Sequence, residues 1–142
     1  MKIQNKKANF LYYILDTYEC GIELKGTEIK SIRKGSCDIR DSFAIIKNNE
    51  VFLLNMYIAK YEEGNQFNHD ERRTRKLLLH KHEIKKLKDK KEKERLTLIP
   101  LEVYFKGSNA KVLLGICKGK KIYDKRETIK QRDLERENKR RL

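Results

Sequence analysis

A chain of 142 residues has room for one compact core with an appendage and excludes two ordinary domains. Hydrophobic residues make up 38% against 39% charged, and 35 Lys and Arg oppose 21 Asp and Glu for a formal charge of +14. Solubility asks for only about 2 to 8 net charges in a small domain, so the excess points to a polyanionic partner, nucleic acid first, attracted over a Debye length of about 8 Å.

From Phe10 to Ile22 the residues are aromatic and β-branched, which predicts strand interrupted near Gly21 and Gly26. Thr27 reads as an N-cap, Glu28 as first-turn acid, Ile29 and Ile32 as one face, and Gly35 as a left-handed stop, together a two-turn helix. Phe43 to Ile46 and Val51 to Ile58 flank Lys47-Asn48-Asn49-Glu50, where Asn tolerates the positive φ of a tight turn, so a β-hairpin follows. Residues 62–75 carry Gly, Asn, Asp and three Arg without apolar periodicity and read as an exposed loop. Leu77 to Leu79 open an apolar cluster that Ile84 and Leu87 continue at i,i+3, which one amphipathic helix explains, with Lys88 to Arg95 as its solvated end. Leu96 to Phe105 and Ala110 to Ile116 form a second hairpin about Gly107-Ser108-Asn109, and Pro100 marks an edge or a bulge. About six short strands joined by hairpin-length turns, with two small helices, favour a small antiparallel β-barrel.

Beyond residue 117 the character changes. Residues 118–142 hold 11 basic and 5 acidic side chains with few large apolar ones, so this segment adds little to a core. Glu135 with Lys139 and Glu137 with Arg141 are i,i+4 pairs worth about 0.2–0.5 kcal/mol each. A segment near the limit of about 12–15 residues for marginal helicity stays disordered alone and becomes helical against a partner.

Catalytic motifs are missing: there is no GxSxG, P-loop, GxGxxG or HExxH, and Glu19 and Asp41 stand in no nuclease pattern. Three widely spaced cysteines, Cys20, Cys37 and Cys117, form no CxxC and indicate a reducing compartment. His69, His80 and His82 lack metal-ligand spacing, so no metal or cofactor is expected. No apolar run approaches about 20 residues, and no secretory leader is read at the start. Glu19 is either a solvated strand carboxylate or an acceptor for base-edge donors, and His80 either caps the following helix or stacks on a base. Tyr123, set among Lys120, Lys121, Lys125 and Arg126 with nothing apolar to bury against, reads as a stacking ring or as a sticky disordered tyrosine.

Six blocks carry a resemblance: Asn5-Lys6-Lys7-Ala8, Tyr18-Glu19-Cys20-Gly21, Gly26-Thr27-Glu28-Ile29-Lys30-Ser31, Asp41-Ser42-Phe43-Ala44, Arg73-Thr74-Arg75-Lys76-Leu77-Leu78-Leu79 and Gly119-Lys120-Lys121-Ile122-Tyr123-Asp124-Lys125-Arg126. In this order the chain resembles the small protein B family along essentially its whole length. The resemblance implies a mainly β fold, an oligonucleotide-binding (OB) type barrel with accessory helices over residues 1–117, and a basic C-terminal tail over 118–142 that becomes helical on the ribosome. It further implies a cytoplasmic RNA-binding adaptor of trans-translation, not an enzyme, acting as a monomer on RNA and without a membrane. Its body would grip the tRNA-like domain of transfer-messenger RNA through Glu19, Leu78 and His80. Its tail would enter the empty mRNA channel and decoding centre of a stalled ribosome through Gly119, Lys120, Lys121, Tyr123, Asp124, Lys125 and Arg126. Departures are Cys20 and Cys117, where alanine is frequent, His80, which is asparagine in some members, and Asn9-Phe10 in place of a commonly basic or histidine-bearing pair. No RNA contact is carried over to Asn9 or Phe10.

Overall fold

In the computed structural model, residues 2–63 and 68–121 are described, together with Arg126, Lys130 and Arg132, which are helical and exposed. Tyr123, Asp124, Lys125 and most of the expected tail helix lie outside the described residues. Two hairpins form where turn chemistry demands them. Strands β4 (Phe43–Lys47) and β5 (Glu50–Leu54) meet at Asn48 and Asn49, with φ of 54° and 59°, the doubly left-handed turn whose twist matches the flanking strands. Strands β8 (Thr97–Lys106) and β9 (Asn109–Gly119) turn at Gly107, φ 64°. Gly35, φ 78°, closes helix α2 (Gly26–Arg33) as expected.

The remaining elements are β1 (Lys2–Gln4), α1 (Ala8–Leu11), β2 (Tyr12–Ile22), β3 (Cys37–Asp38), β6 (Tyr57–Ile58), β7 (Arg75–Leu78) and α3 (Lys81–Lys93). In the main sheet the order is β1-β8-β4-β5-β7-β2-β9, and β8 also pairs with β9. The sheet therefore closes on itself into the antiparallel barrel expected, agreeing with the OB type, while β3 and β6 form a separate two-stranded ladder. Within the closed ring every strand has a neighbour on both sides, while β1 lies outside the ring and pairs with β8 alone.

Alternation sets what lies inside. Cys20 and Ile22 of β2, Leu77 of β7, Val112, Leu114 and Ile116 of β9, and Leu98 and Val103 of β8 are buried, with Ile32 of α2 and Leu87 of α3 in the same core. Pro100 sits at a register shift: it pairs with Leu114 while Glu102 pairs with Leu113, so Leu101 is the extra residue of a bulge. Leu101 lies over Gly115, where a Cβ would stand 2.8 Å from its Cδ1.

Four local expectations change. α1 takes Phe10 and Leu11 from the expected strand, so β2 begins at Tyr12. Leu77 and Leu78 belong to strand β7 rather than to one helix with Ile84, because Leu77 pairs with both Val51 and Ile22. The N-cap of α2 is Lys25, not Thr27: the Glu28 carboxylate accepts the Lys25 N–H at 2.8 Å, while the Thr27 hydroxyl meets His69 Nδ1 at 2.9 Å. The stretch read as an exposed loop is tied down by buried groups, His69 and Arg75. Arg75 donates to the carbonyl of Met56 at 2.6 Å and to Glu28, and Arg73 reaches the same carboxylate at 2.6 Å.

Candidate nucleic-acid interface

Residues that face outward on β2 alternate with the buried Cys20 and Ile22, which leaves Glu19 exposed and Gly21 at the surface. Gly21 pairs with Leu78 of β7, and a Cβ on Gly21 would stand 3.2 Å from the Leu78 Cβ. The missing side chain lets Leu78 lie down on the sheet, where it stays 45% exposed. Glu19, two residues from Gly21 on the same face, is thereby a diagonal neighbour of Leu78, about 7–8 Å away along the pleat. His80 follows two residues later at the N-cap of α3. Its backbone N–H donates to Glu83 Oε1 at 3.0 Å, and its exposed ring stacks on His82 with centroids 5.6 Å apart and planes 8° from parallel. His80 therefore holds the capping position while its ring remains at the surface.

Glu19 is held rather than loose. Tyr104 Oη donates to its Oε2, and Lys106 Nζ lies 3.4 Å from its Oε1. The Tyr104 hydrogen bond, joined by Lys106 and the charge of Lys111, outweighs desolvation and holds the Glu19 carboxyl below its ordinary value. The same bond pushes the Tyr104 hydroxyl up to about 12, so near neutrality it remains a donor to an ionised, acceptor-only carboxylate. Beside Leu78 a groove of about 830 Å³ runs between the β4–β5 turn and α3, with Leu77, Leu79 and Ile84 as apolar lining and Lys81, Lys85 and Lys88 along α3.

Glu19 and Leu78 thus lie together, with His80 two residues further along the chain, while Gly119 and Lys120 lie elsewhere. Gly119 is the last residue of β9 and pairs with Tyr12 at the opposite end of β2. Seven residues of strand rise, roughly 23 Å, separate that end from Glu19. Lys120 continues there, its N–H donating to the Leu11 carbonyl at 2.9 Å and its Nζ to the Asn9 carbonyl at 2.7 Å, with Nζ 4.9 Å from the Tyr13 ring centroid. Lys121 and Arg126 are exposed.

Sequence reasoning missed Tyr104, Lys106 and Lys111. A hairpin register counted out from Gly107-Ser108 could have set Tyr104 opposite Lys111, but nothing in the sequence couples either to Glu19, 85 residues from Tyr104. Burial raises the thiols of Cys20 and Cys37 to about 12 and of Cys117 to about 11, which leaves them unreactive. Among the described residues no cluster of three or more His, Cys, Asp or Glu could hold a metal, and no helix is long and apolar enough to cross a membrane.

A small closed antiparallel barrel with a cationic surface and exposed apolar, imidazole and carboxylate groups is the form of an oligonucleotide-binding module. The chain belongs to the SmpB protein family, whose model matches residues 2–142. It is 57% identical over 139 residues to an SsrA-binding protein of Ligilactobacillus salivarius, covering 98% of this chain and 90% of that one. An SsrA-binding protein of Carboxydothermus hydrogenoformans is 58% identical over 134 residues, covering 94% and 90%. A chain solved under the description "tmRNA-SmpB: a journey to the center of the bacterial ribosome" is 52% identical and superposes with a TM-score of 0.71 over 85% of each chain.

Proposed function

We propose that this protein is an RNA-binding adaptor that grips the tRNA-like domain of transfer-messenger RNA (SsrA) with its barrel and delivers it to stalled ribosomes in trans-translation. The observation that carries this reading is the placement of Glu19 beside Leu78, with His80 two residues further along the chain at a helix start, on a chain with +14 net charge. Near-full-length similarity to SsrA-binding proteins supports it. Phosphate neutralisation by lysine and arginine supplies salt-dependent affinity, while a carboxylate acceptor, an apolar side chain and a stackable ring read a folded RNA by shape and a few bases. The protein works in the cytoplasm without a cofactor and without catalysis of its own, as a monomer on RNA.

Residues 1–117 act as the body and 118–142 as the tail, whose first two residues, Lys118 and Gly119, complete β9. Gly119, Lys120, Lys121, Tyr123, Asp124, Lys125 and Arg126 serve the empty mRNA channel and decoding centre, where ribosomal RNA neutralises the cationic segment and favours helix. Message in the channel would exclude it. A chain truncated after Gly119 should bind transfer-messenger RNA nearly as tightly as the full chain, in preference to bulk tRNA at fixed salt, yet fail to support tagging of stalled peptides. Loss of RNA binding in the truncated chain would contradict this division of labour.

A further inference from the structure

Where β9 ends, Lys120 is fastened to the short helix α1 by its backbone and by its side chain. Gly119 pairs with Tyr12, and the residue after it donates its N–H to the Leu11 carbonyl at 2.9 Å. The Lys120 ammonium turns back to the Asn9 carbonyl at 2.7 Å and stands 4.9 Å from the centroid of the Tyr13 ring. The last carbonyls of a helix find no donor within it, so Asn9 and Leu11 present acceptors at the end of α1, and one lysine meets both. Lys118, Gly119 and Lys121 are exposed, whereas Lys120 is half-buried. Its charge faces a carbonyl and an aromatic ring of its own chain, a setting that favours a cation and directs it toward the protein rather than outward to phosphate.

We propose that Lys120 is a positioning residue, which clamps the root of the C-terminal tail to α1 and Tyr13 and so sets the direction in which the tail leaves the barrel. This rests on the function proposed above and assigns one tail residue its part in it. Two attachments, one on the backbone and one on the side chain, fix the heading of the chain at residue 120, which a single hydrogen bond would leave free to swivel. Heading matters because an error grows along the segment. A helix of about 15 residues is about 22 Å long, so a swing of about 20° at its root moves its far end by roughly 8 Å, more than one helical turn. A tail released from the clamp meets the channel in many orientations, and ordering it there costs entropy that the clamp has already removed. Because both acceptors on α1 are backbone carbonyls, Tyr13 is the partner whose side chain can be changed.

Tagging of stalled peptides by the full chain with transfer-messenger RNA, measured beside affinity for that RNA, tests the clamp. Lys120→Met keeps the reach of the side chain and removes the ammonium. It should slow tagging about tenfold, the scale of a hydrogen bond from a charged group, and leave affinity for transfer-messenger RNA at the parental value. Tyr13→Leu should slow tagging about threefold, the scale of an exposed cation–π contact. Both act on one clamp, so the double variant should be no slower than Lys120→Met. Lys120→Arg, whose guanidinium reaches the same carbonyl and ring, should restore most of the rate. The salt slope of ribosome binding should be the same in Lys120→Met as in the parent. Thermal unfolding confirms that each variant folds. Parental tagging by Lys120→Met or by Tyr13→Leu, independent losses in the double variant, or a slope of log K against log salt reduced by about one in Lys120→Met, the mark of a direct phosphate contact, would each overturn the clamp and leave the adaptor reading standing. A parent chain that neither binds transfer-messenger RNA nor supports tagging would remove the adaptor reading, and the clamp with it.

Discussion

At the scale of single residues, Glu28 does more for this molecule than its place in a short helix suggests. Its side chain is wholly buried and accepts from the Lys25 N–H, Arg73 and Arg75, so one carboxylate ties the start of α2 to β7 and to the segment before it. Arg75 is equally buried and extends the tie through the carbonyls of Met56, Asp70 and Glu71. Removing one partner of such a pair leaves a buried charge uncompensated, at a cost of about 3–5 kcal/mol. Glu28→Gln should therefore lower the urea midpoint far more than an exposed change such as Glu62→Gln. Burial resists ionisation of Glu28, but the hydrogen bonds from Arg73, the Lys25 N–H and Arg75, with the charge of Arg75, outweigh it and hold the carboxyl below its ordinary 4.5. A lowered folded value means that this contribution is complete above about pH 4.5 and disappears as pH falls through the folded value. Urea midpoints measured from pH 7 to pH 3 should fall more steeply in the parent than in Glu28→Gln, and parallel curves would refute the assignment. Arg73-Thr74-Arg75 in a basic chain reads by charge as surface, and only the carboxylate 45 to 47 residues earlier shows that Arg75 is held internally and Arg73 is half-buried beside it.

Elements divide into those decided by their own residues and those decided by neighbours. The β4–β5 turn belongs to the first group: Asn48 and Asn49 both hold positive φ, a conformation that costs most other side chains about 1–2 kcal/mol. Asn49→Val should lose about that much stability by urea titration, and Asn49→Gly should lose none. Equal stabilities for the two variants would show that the turn carries no such requirement. Gly35 and the β8–β9 turn were legible for the same reason, since a backbone that needs positive φ advertises itself through Gly or Asn. β7 belongs to the second group. Arg75–Leu78 has helical-looking apolar spacing into Ile84 and Leu87, but two strand partners, β5 and β2, supply ladder hydrogen bonds that a helix there would forgo. Thr27 shows the same override, because a buried histidine claims its hydroxyl and the cap passes to a carboxylate three residues past Lys25.

For the whole molecule, closure of the sheet is the governing fact. Because β8 pairs with β9 as well as with β4 and β1, no ring strand can leave without opening two ladders, and the body should unfold as one unit. Far-UV circular dichroism and the fluorescence of the seven tyrosines, in a chain without tryptophan, should report the same urea midpoint, and separated midpoints would reveal an independent part. By itself the sequence determined the cationic character, the tail's change of composition, the turns, most strand segments and the family blocks. These are local or additive properties, each carried by residues close together in the chain. Only the tertiary structure decided that Gly21 lies between Leu78 and Lys111, that Tyr104 holds Glu19, and that Gly119 and Lys120 sit at the far end of β2. Those placements depend on the register of strands distant in sequence, and a one-residue slip in any ladder turns every side chain on that strand to the other face.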